Sequence, residues 1–445
     1  MTLFLMLFGL FALIFINVPI AVALAVVAVV AMLLTQGVDI LPNVALVMFD
    51  GATKFPLLAI PLFIFAGAIM NTTGISRRLI SFASALFGFV KGGLAMVNVA
   101  ASMFFAEMSG SAVADVAALG SILIPAMKKK GSDVAALGSI LIPAMKKRGY
   151  PRGFAAAVTS SSATIAIIIP PSIPMILYAV MSDSSVVQLF VAGIIPGVLG
   201  GTLMMGVCYW FAVRYNYPVE EVFQLKRVWS TFRAASWAFL LPLIILGGIF
   251  GGIVTATEGA GLAVAASLFI GGVIYRELNW THLRKAIIDG GISTAVVMLL
   301  VASSALVGNY LTELQVPQKL AQAIMDWTDN RYVVLALLNV FFLIVGLFLH
   351  SAAAIILVVP IVMPLVYAVG IDPVHFGLIV TLNLGVGQQT PPVASVLITA
   401  CSVAKADIWE VSRINVFFVA VIVMVLLLIT YVPVIPMSLV RFFYG

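Results

Sequence analysis

Thr159-Ser160-Ser161-Ser162-Ala163-Thr164 leads through an apolar run into Pro170-Pro171-Ser172-Ile173-Pro174. The span it belongs to, at about 152–181, is long enough to cross a membrane, yet it cannot be one unbroken helix. Two adjacent prolines remove two N–H donors and disrupt the turn before them. The carbonyls freed there need other partners. The pattern returns 221 positions later, as Asn383-Leu384-Gly385-Val386-Gly387-Gln388-Gln389-Thr390-Pro391-Pro392. Pro143 and Gly149 match Pro364 and Gly370 at the same offset. Further upstream, Ile75 to Leu79 matches Val316 to Leu320, and Asn98-Val99 matches Asn339-Val340, both 241 apart. Weak internal symmetry, with Gly and Pro interrupting corresponding apolar segments, points to a secondary transporter built from repeats 1–223 and 224–445.

Composition agrees. Of 445 residues, 63% are hydrophobic and 9% charged, against about one quarter charged in soluble proteins. This is an all-α polytopic membrane protein. Full spans are expected at about 3–35, 55–73, 152–181, 186–213, 236–254, 259–275, 291–308, 376–402 and 415–434. The apolar N-terminal stretch is read as a retained span, too long for a cleaved signal. The net charge of +6 would suggest nucleic acid for a soluble chain. Here it reflects basic residues at cytoplasmic helix ends, and no nucleic-acid partner is expected. Cys208 and Cys401 lie in apolar runs without metal-ligand spacing and read as buried hydrophobes.

Two regions depart from simple spans. At 92–127 and 332–366, apolar residues run into Ser109-Gly110-Ser111 and His350-Ser351 and then continue. Each reads as a re-entrant helical hairpin, with a pair of complete spans as the alternative. Non-helical backbone at membrane depth is tolerated only against protein or a water-filled cavity. Lys146, Lys147, Arg148 and Arg152 follow the first hairpin, whereas 366–375 has no Lys or Arg. The positive-inside rule then opens the hairpins on opposite faces, with a cytoplasmic N-terminus and a periplasmic C-terminus. The fold expected is that of inverted repeats with two hairpins and two broken helices.

A second, local repeat is exact. Asp115 to Lys129 reads DVAALGSILIPAMKK, and Asp133 to Lys147 reads the same 18 positions later. Diverged structural repeats do not stay identical, so this is a recent or artificial duplication. It also accounts for most of the fall in offset from 241 to 221. The first copy is expected to complete the hairpin, with Lys128 to Lys130 at the cytoplasmic surface. The reverse arrangement would draw three lysines toward the bilayer at about 2.5–3.5 kcal/mol each.

No reactive constellation for an enzyme is present: no HExxH, no P-loop, no aspartate pair in spans. An ion gradient must then supply the energy. Unwound carbonyls and helix ends coordinate cations in this class of protein. One Na⁺ site is expected per repeat, each between a tip and a break, or about two in all. The oxygens would come from Ser109, Gly110, Ser111, Ser162 and Thr164, and from Ser351, Ala352, Gly385, Gly387 and Thr390. An organic anion should bind between them, near helix N-termini, using Ser160, Ser161, Asn383, Gln388, Gln389 and His350. The alternative is that Ser, Gly and Pro only permit close helix packing. Glu107, Asp115 and Glu258 read as capping or pairing residues.

Several stretches carry a family resemblance: Ser109 to Ala114, Gly138-Ser-Ile-Leu-Ile-Pro-Ala-Met145 with Arg148-Gly-Tyr150, Ile169 to Pro174, and Thr390 to Val393. Asn17-Val-Pro-Ile-Ala21 and Gly193 to Gly197 fit as well. Together they resemble the large membrane subunit of tripartite ATP-independent periplasmic (TRAP) transporters over essentially the whole chain. The resemblance implies a bacterial inner membrane and two partners, a periplasmic substrate-binding protein and a small four-helix membrane subunit. It also implies sodium-driven elevator motion. Hairpins and broken spans would form the moving body, with amphipathic arms at about 75–88, 224–235, 280–290 and 316–327. The Gln388-Gln389 pair leans toward sialic acid or another sugar acid over a C4-dicarboxylate. A carrier working without a binding protein, and a membrane enzyme or assembly scaffold, are the competing readings.

Overall fold

Proline, glycine and capping side chains divide the chain into helices, and the computed structural model shows where. It describes residues 6, 8–10, 12–13, 16, 18–109, 149–217, 219, 222–391 and 394–445, with side chains omitted for 105–109. The exact duplication, and which copy completes the hairpin, lie outside the described residues. Apart from an isolated bridge between Lys91 and Val219, the regular structure described is helical. Among the described residues, eight helical segments are long and apolar enough to cross a membrane.

The first half contains α1 (Ile20–Gln36), α2 (Leu41–Ala52), α3 (Ala59–Thr72), α4 (Ile75–Phe87) and α5 (Gly93–Ser109). After the undescribed segment come α6 (Arg152–Ala166), α7 (Ile173–Ser182) and α8 (Val186–Arg214). Next follow α9 (Leu225–Phe250), α10 (Ala256–Phe269), α11 (Trp280–Glu313) and α12 (Val316–Met325). The chain closes with α13 (Arg331–Phe348), α14 (Ser351–Ala368), α15 (Pro373–Gly387), α16 (Ser395–Ala404), α17 (Ile408–Tyr431) and α18 (Val434–Tyr444). Helix starts carry side-chain caps that satisfy otherwise orphan N–H groups. Asp372 accepts from Val374 and His375, and Asp407 from Trp409 and Glu410. Thr255 and Glu258 form a reciprocal capping box at α10, the capping role expected for Glu258.

Three expectations need correction. The span expected over 3–35 is not one helix: Ile16 lies in a turn and α1 begins only after Pro19, whose ring cannot continue a helix. The arms expected at 224–235 and 280–290 are not separate elements. They are the first turns of α9 and α11: no Gly or Pro lies at the boundary in α9, and α11 runs on through Gly290 and Gly291. Only α4 and α12 are free-standing arms, and each is preceded by a left-handed residue, Gly74 (φ 64°) and Gln315 (φ 54°). Finally, α18 follows the last span as an additional short helix.

Equivalent positions share backbone features. Gly149 and Gly370 both have positive φ, at 85° and 68°. Asp183 and Lys405, which end α7 and α16, have φ of 51° and 52°. The broken helices form the centre. Every residue from Gly153 to Ala166 and from Val374 to Gly387 is buried. In the packing, α6 lies against α16 and α17, while α15 lies against α7 and α8, so the halves interlock. At the periphery, α9 and α11 expose broad apolar faces, including Trp229, Leu243, Ile292 and Val296, as lipid-facing helices do.

Candidate functional site

The first break separates α6 from α7. Ile167, Ile168 and Ile169 turn their N–H groups to the carbonyls three residues back, at 3.3, 3.3 and 3.0 Å. Pro170 and Pro171 have no N–H to offer. Ser172 then restarts the helix: its hydroxyl donates to Ile167 O at 2.5 Å and accepts from Met175 N at 3.4 Å. The second break repeats the turn, with Gln388 N bonded to Leu384 O (3.1 Å), Gln389 N to Val386 O and Thr390 N to Gly387 O (both 3.0 Å). Here polar side chains replace the three isoleucines 221 positions earlier.

Close approach of backbones assembles the region. A side chain on Gly385 would run into Ile167 and Thr164, so its absence seats α15 against the end of α6. A Cβ on Gly387 would lie 2.5 Å from the Gly346 backbone, so α13 touches the second break just before the hairpin turns. That turn is Leu349 and His350, both extended, joining α13 to α14. Ser351 and Ala352 open α14 and are buried. His350 is the residue immediately before that helix. At the other tip, Ser109 ends α5, with its side chain undescribed, and Gly110 and Ser111 lie outside the described residues.

Side chains tie these elements into a buried polar network. On α6, Ser162 Oγ lies 2.8 Å from Ser102 Oγ of α5, and Thr159 accepts from Asn98 Nδ2 at 2.6 Å. On α15, Asn383 Nδ2 donates to Asn339 Oδ1 of α13 at 2.6 Å and to Ile379 O. Between the halves, Gln389 Nε2 donates to Ser160 O at 2.6 Å and to Thr164 Oγ1 at 2.5 Å. Asn415 of α17 accepts from Ser161 Oγ at 2.5 Å and donates to Gln389 O and Oε1. Thr390 turns back to Val386 O, and Ser160 Oγ to Ala157 O. Sequence reading named most of the α6 and α15 members. It did not assign a role to Asn98, Ser102, Asn339 or Asn415. Asn98 and Asn339 were nonetheless marked by their repeat offset, and Asn415 is a lone amide in an apolar span, which is a signal in itself.

Three amide oxygens in this network, Asn98 Oδ1, Asn383 Oδ1 and Gln388 Oε1, are buried without a hydrogen-bond partner. A buried acceptor in that state is costly. Together with the carbonyls beside the breaks, these are neutral oxygen donors, the ligand type that suits a hard cation of low charge. The residues fit Na⁺ on that chemistry. Among the described residues there is no cluster of three or more His, Cys, Asp or Glu to hold a transition metal.

Comparison with known proteins places this arrangement. The family described as "Tripartite ATP-independent periplasmic transporter, DctM component" matches residues 7–133 and again 130–435. The two matches meet in the spacer between the duplicated copies, where an inserted copy would interrupt a single match. The chain is 38% identical to the isethionate TRAP transporter permease protein DctMQ of Oleidesulfovibrio alaskensis over 97% of its length, spanning 65% of that longer relative. It is 35% identical to the C4-dicarboxylate TRAP transporter large permease protein DctM of Pseudomonas aeruginosa, covering 90% of each chain. Identity to the sialic acid TRAP transporter large permease protein SiaM of Vibrio cholerae is 34%, over 91% of each. In fold it resembles the YdaH transporter of Alcanivorax borkumensis, with a TM-score of 0.59, 14% identity and 89% coverage of both chains.

Proposed function

This chain belongs to the DctM component family of tripartite ATP-independent periplasmic transporters, and from that premise we propose that it is the membrane subunit that imports an organic anion by sodium symport. It is a multi-pass transport protein, not an enzyme. The observation that carries the sodium reading is the trio of partnerless amide oxygens, Asn98 Oδ1, Asn383 Oδ1 and Gln388 Oε1, on helices that pack beside or end at the two breaks. Buried acceptors at no net charge favour a monovalent cation, which would replace its hydration shell with them. Ser162, Thr164 and the α6 carbonyls would serve the first site. Gly385, Gly387, Thr390 and the start of α14 at Ser351 and Ala352 would serve the second.

The anion would lie between these sites, with Ser160, Ser161, Asn383, Gln388, Gln389 and His350 as candidate neighbours. Relatives are named for isethionate, C4-dicarboxylates, 2,3-diketo-L-gulonate and sialic acid. A sugar acid or a C4-dicarboxylate is the class proposed here. The buried body around α6 and α15 would move against the lipid-facing α9, α10 and α11, as an elevator. A periplasmic binding protein would deliver the anion, and a small membrane subunit, fused in the DctMQ relative by the sense of its name, would brace the scaffold. The chain would sit in the inner membrane with the N-terminus cytoplasmic and the C-terminus periplasmic, the two repeats 1–223 and 224–445 threading oppositely.

Reconstitution into proteoliposomes tests this. Uptake should require an imposed Na⁺ gradient and the soluble binding protein. With two Na⁺ per monovalent anion it should also be electrogenic, each net charge gaining about 2.3 kcal/mol per 100 mV. Flux with substrate alone would favour a carrier independent of a binding protein, and electroneutral flux of a monovalent anion would count against two sites, whereas two Na⁺ with a dicarboxylate dianion would carry no net charge.

A further inference from the structure

We propose that Gln389 and Asn415 form a coupled amide relay, in which Asn415 is a positioning residue that lets the second break respond to a cation held at the end of α6. The inference deepens the sodium reading above and rests on it. The relay is a closed chain of hydrogen bonds. Ser161 Oγ donates to Asn415 Oδ1, and Asn415 Nδ2 donates to Gln389 Oε1 at 3.1 Å and to Gln389 O at 3.4 Å. Gln389 Nε2 in turn donates to Ser160 O and Thr164 Oγ1. All five residues are buried. Ser160 O also accepts from Thr164 Oγ1 at 3.2 Å, so both of its lone pairs are engaged.

In this setting Gln389 turns its N–H₂ edge toward the α6 oxygens. A cation cannot share those oxygens with an amide whose positive hydrogens already point at them. Half a turn of the Gln389 amide exchanges Nε2 for Oε1 and presents oxygen to α6. The N–H₂ group then faces Asn415, which must accept where it had donated. Half a turn of the Asn415 amide brings Oδ1 into place and withdraws that oxygen from Ser161. The two amides rotate together, because turning only one sets N–H₂ against N–H₂ or oxygen against oxygen in a buried site. Asn415 Nδ2 leaves Gln389 O in the same step, and Oδ1 in its place repels that carbonyl, so the second break must shift when the end of α6 turns. This is a two-state element biased from both sides, the physical requirement for coupling between sites.

The test follows the melting temperature of the purified protein against NaCl, with choline chloride holding ionic strength constant, alongside Na⁺-driven uptake in proteoliposomes. Asn415→Asp keeps the acceptor that the sodium-bound setting turns toward Gln389 N–H₂, still accepts from Ser161 O–H, and removes the N–H₂ group that the sodium-free setting needs. The Na⁺ concentration for half-maximal stabilisation should therefore fall by about three- to tenfold, the worth of one net hydrogen bond. Asn415→Ala breaks the relay, and the Na⁺ dependence of uptake should flatten to a Hill slope of about 1. An Asn415→Asp midpoint that stays or rises overturns the relay, as does an Asn415→Ala protein with wild-type steepness. If Asn415→Ala does not fold, the Asn415→Asp midpoint decides alone, since loss of packing lowers melting temperature without moving that midpoint down. A wild-type protein indifferent to Na⁺ in both assays overturns the sodium reading and the relay together. A sodium-responsive wild type with unmoved variants overturns the relay only.

Discussion

The two breaks share their punctuation and differ in what backs them. At the first, Ile167 to Ile169 turn away from α6 with Gly193 of α8 pressed against them; a Cβ on Gly193 would lie 2.2 Å from Ile168 O. At the second, Gln388 to Thr390 make the same turn, and Asn415 of α17, 222 positions after Gly193, reaches Gln389 O with its amide. One copy thus sets a glycine backbone against its break carbonyl, and the other a side-chain donor. The backbone device belongs to the shared fold. At these two positions the shared turn is kept while the group that faces its carbonyl differs.

Filling the glycine position at the first break should give the largest effect. Gly193→Val would place its side chain against Ile168 O and Met175 Cε, the latter 2.8 Å from the added Cβ. Neither a helix-break carbonyl nor the start of α7 can retreat, as both are buried. The cost should reach the top of the overpacking range, about 3 kcal/mol, seen as a collapse in the yield of monodisperse protein. A well-folded Gly193→Val chain would show that the first break is looser than its packing implies.

How much of this was legible beforehand follows from the range of each signal. Pro170-Pro171, Pro391 and the paired glycines act on their own turns, so the breaks and the repeat could be read from the chain alone. At 280–290 hydropathy changes along α11 while its backbone does not: the helix runs on through Gly290 and Gly291, so a glycine pair at a polar-to-apolar boundary does not by itself end a helix. The network was legible only by halves. Ser160 to Thr164 and Gln388 to Thr390 announced themselves as polar residues in apolar spans. Their pairing with Asn98, Ser102, Asn339 and Asn415 depends on which helices pack together, and no local propensity encodes that.

A smaller effect separates the two buried polar pairs. Asn339 accepts from Asn383 at 2.6 Å and donates to Thr430 at 3.4 Å, so Asn339→Leu strips two partners from a site where Asn383 Oδ1 already has none. That should cost about 1–3 kcal/mol. Ser102→Ala removes one partner from Ser162, which keeps its bond to Thr159 O at 3.1 Å, and should cost about 1 kcal/mol or less. Thermal unfolding of both variants in the same detergent checks the order. Equal losses would mean that the halves carry their buried polar groups in the same way.

The smallest expected effect concerns the arms, where the asymmetry returns outside the core. Arg78 of α4 and Lys319 of α12 are equivalent by the 241-residue offset, and both fold back onto a preceding carbonyl, Gly74 O at 3.1 Å and Leu314 O at 2.9 Å. Arg78 does more: it pairs with Glu277 at 2.7 Å and lies 3.8 Å from the centre of the Tyr275 ring. These contacts fasten α4 to the loop that follows α10, and α4 also buries Ile75, Leu79, Ile80 and Ala83. By contrast, α12 buries only Pro317 and Ala321. Arg78→Lys keeps the charge but loses the planar group that serves carboxylate and ring together. Because the pair is partly exposed, the loss should be under about 1 kcal/mol and should shrink at high salt. Lys319→Arg should change nothing measurable, since that side chain bonds Leu314 O and meets no carboxylate or ring among the described residues. If the α12 variant stabilised as much as the α4 variant destabilised, the arms would be equally anchored, and the asymmetry between the copies would be confined to the second break.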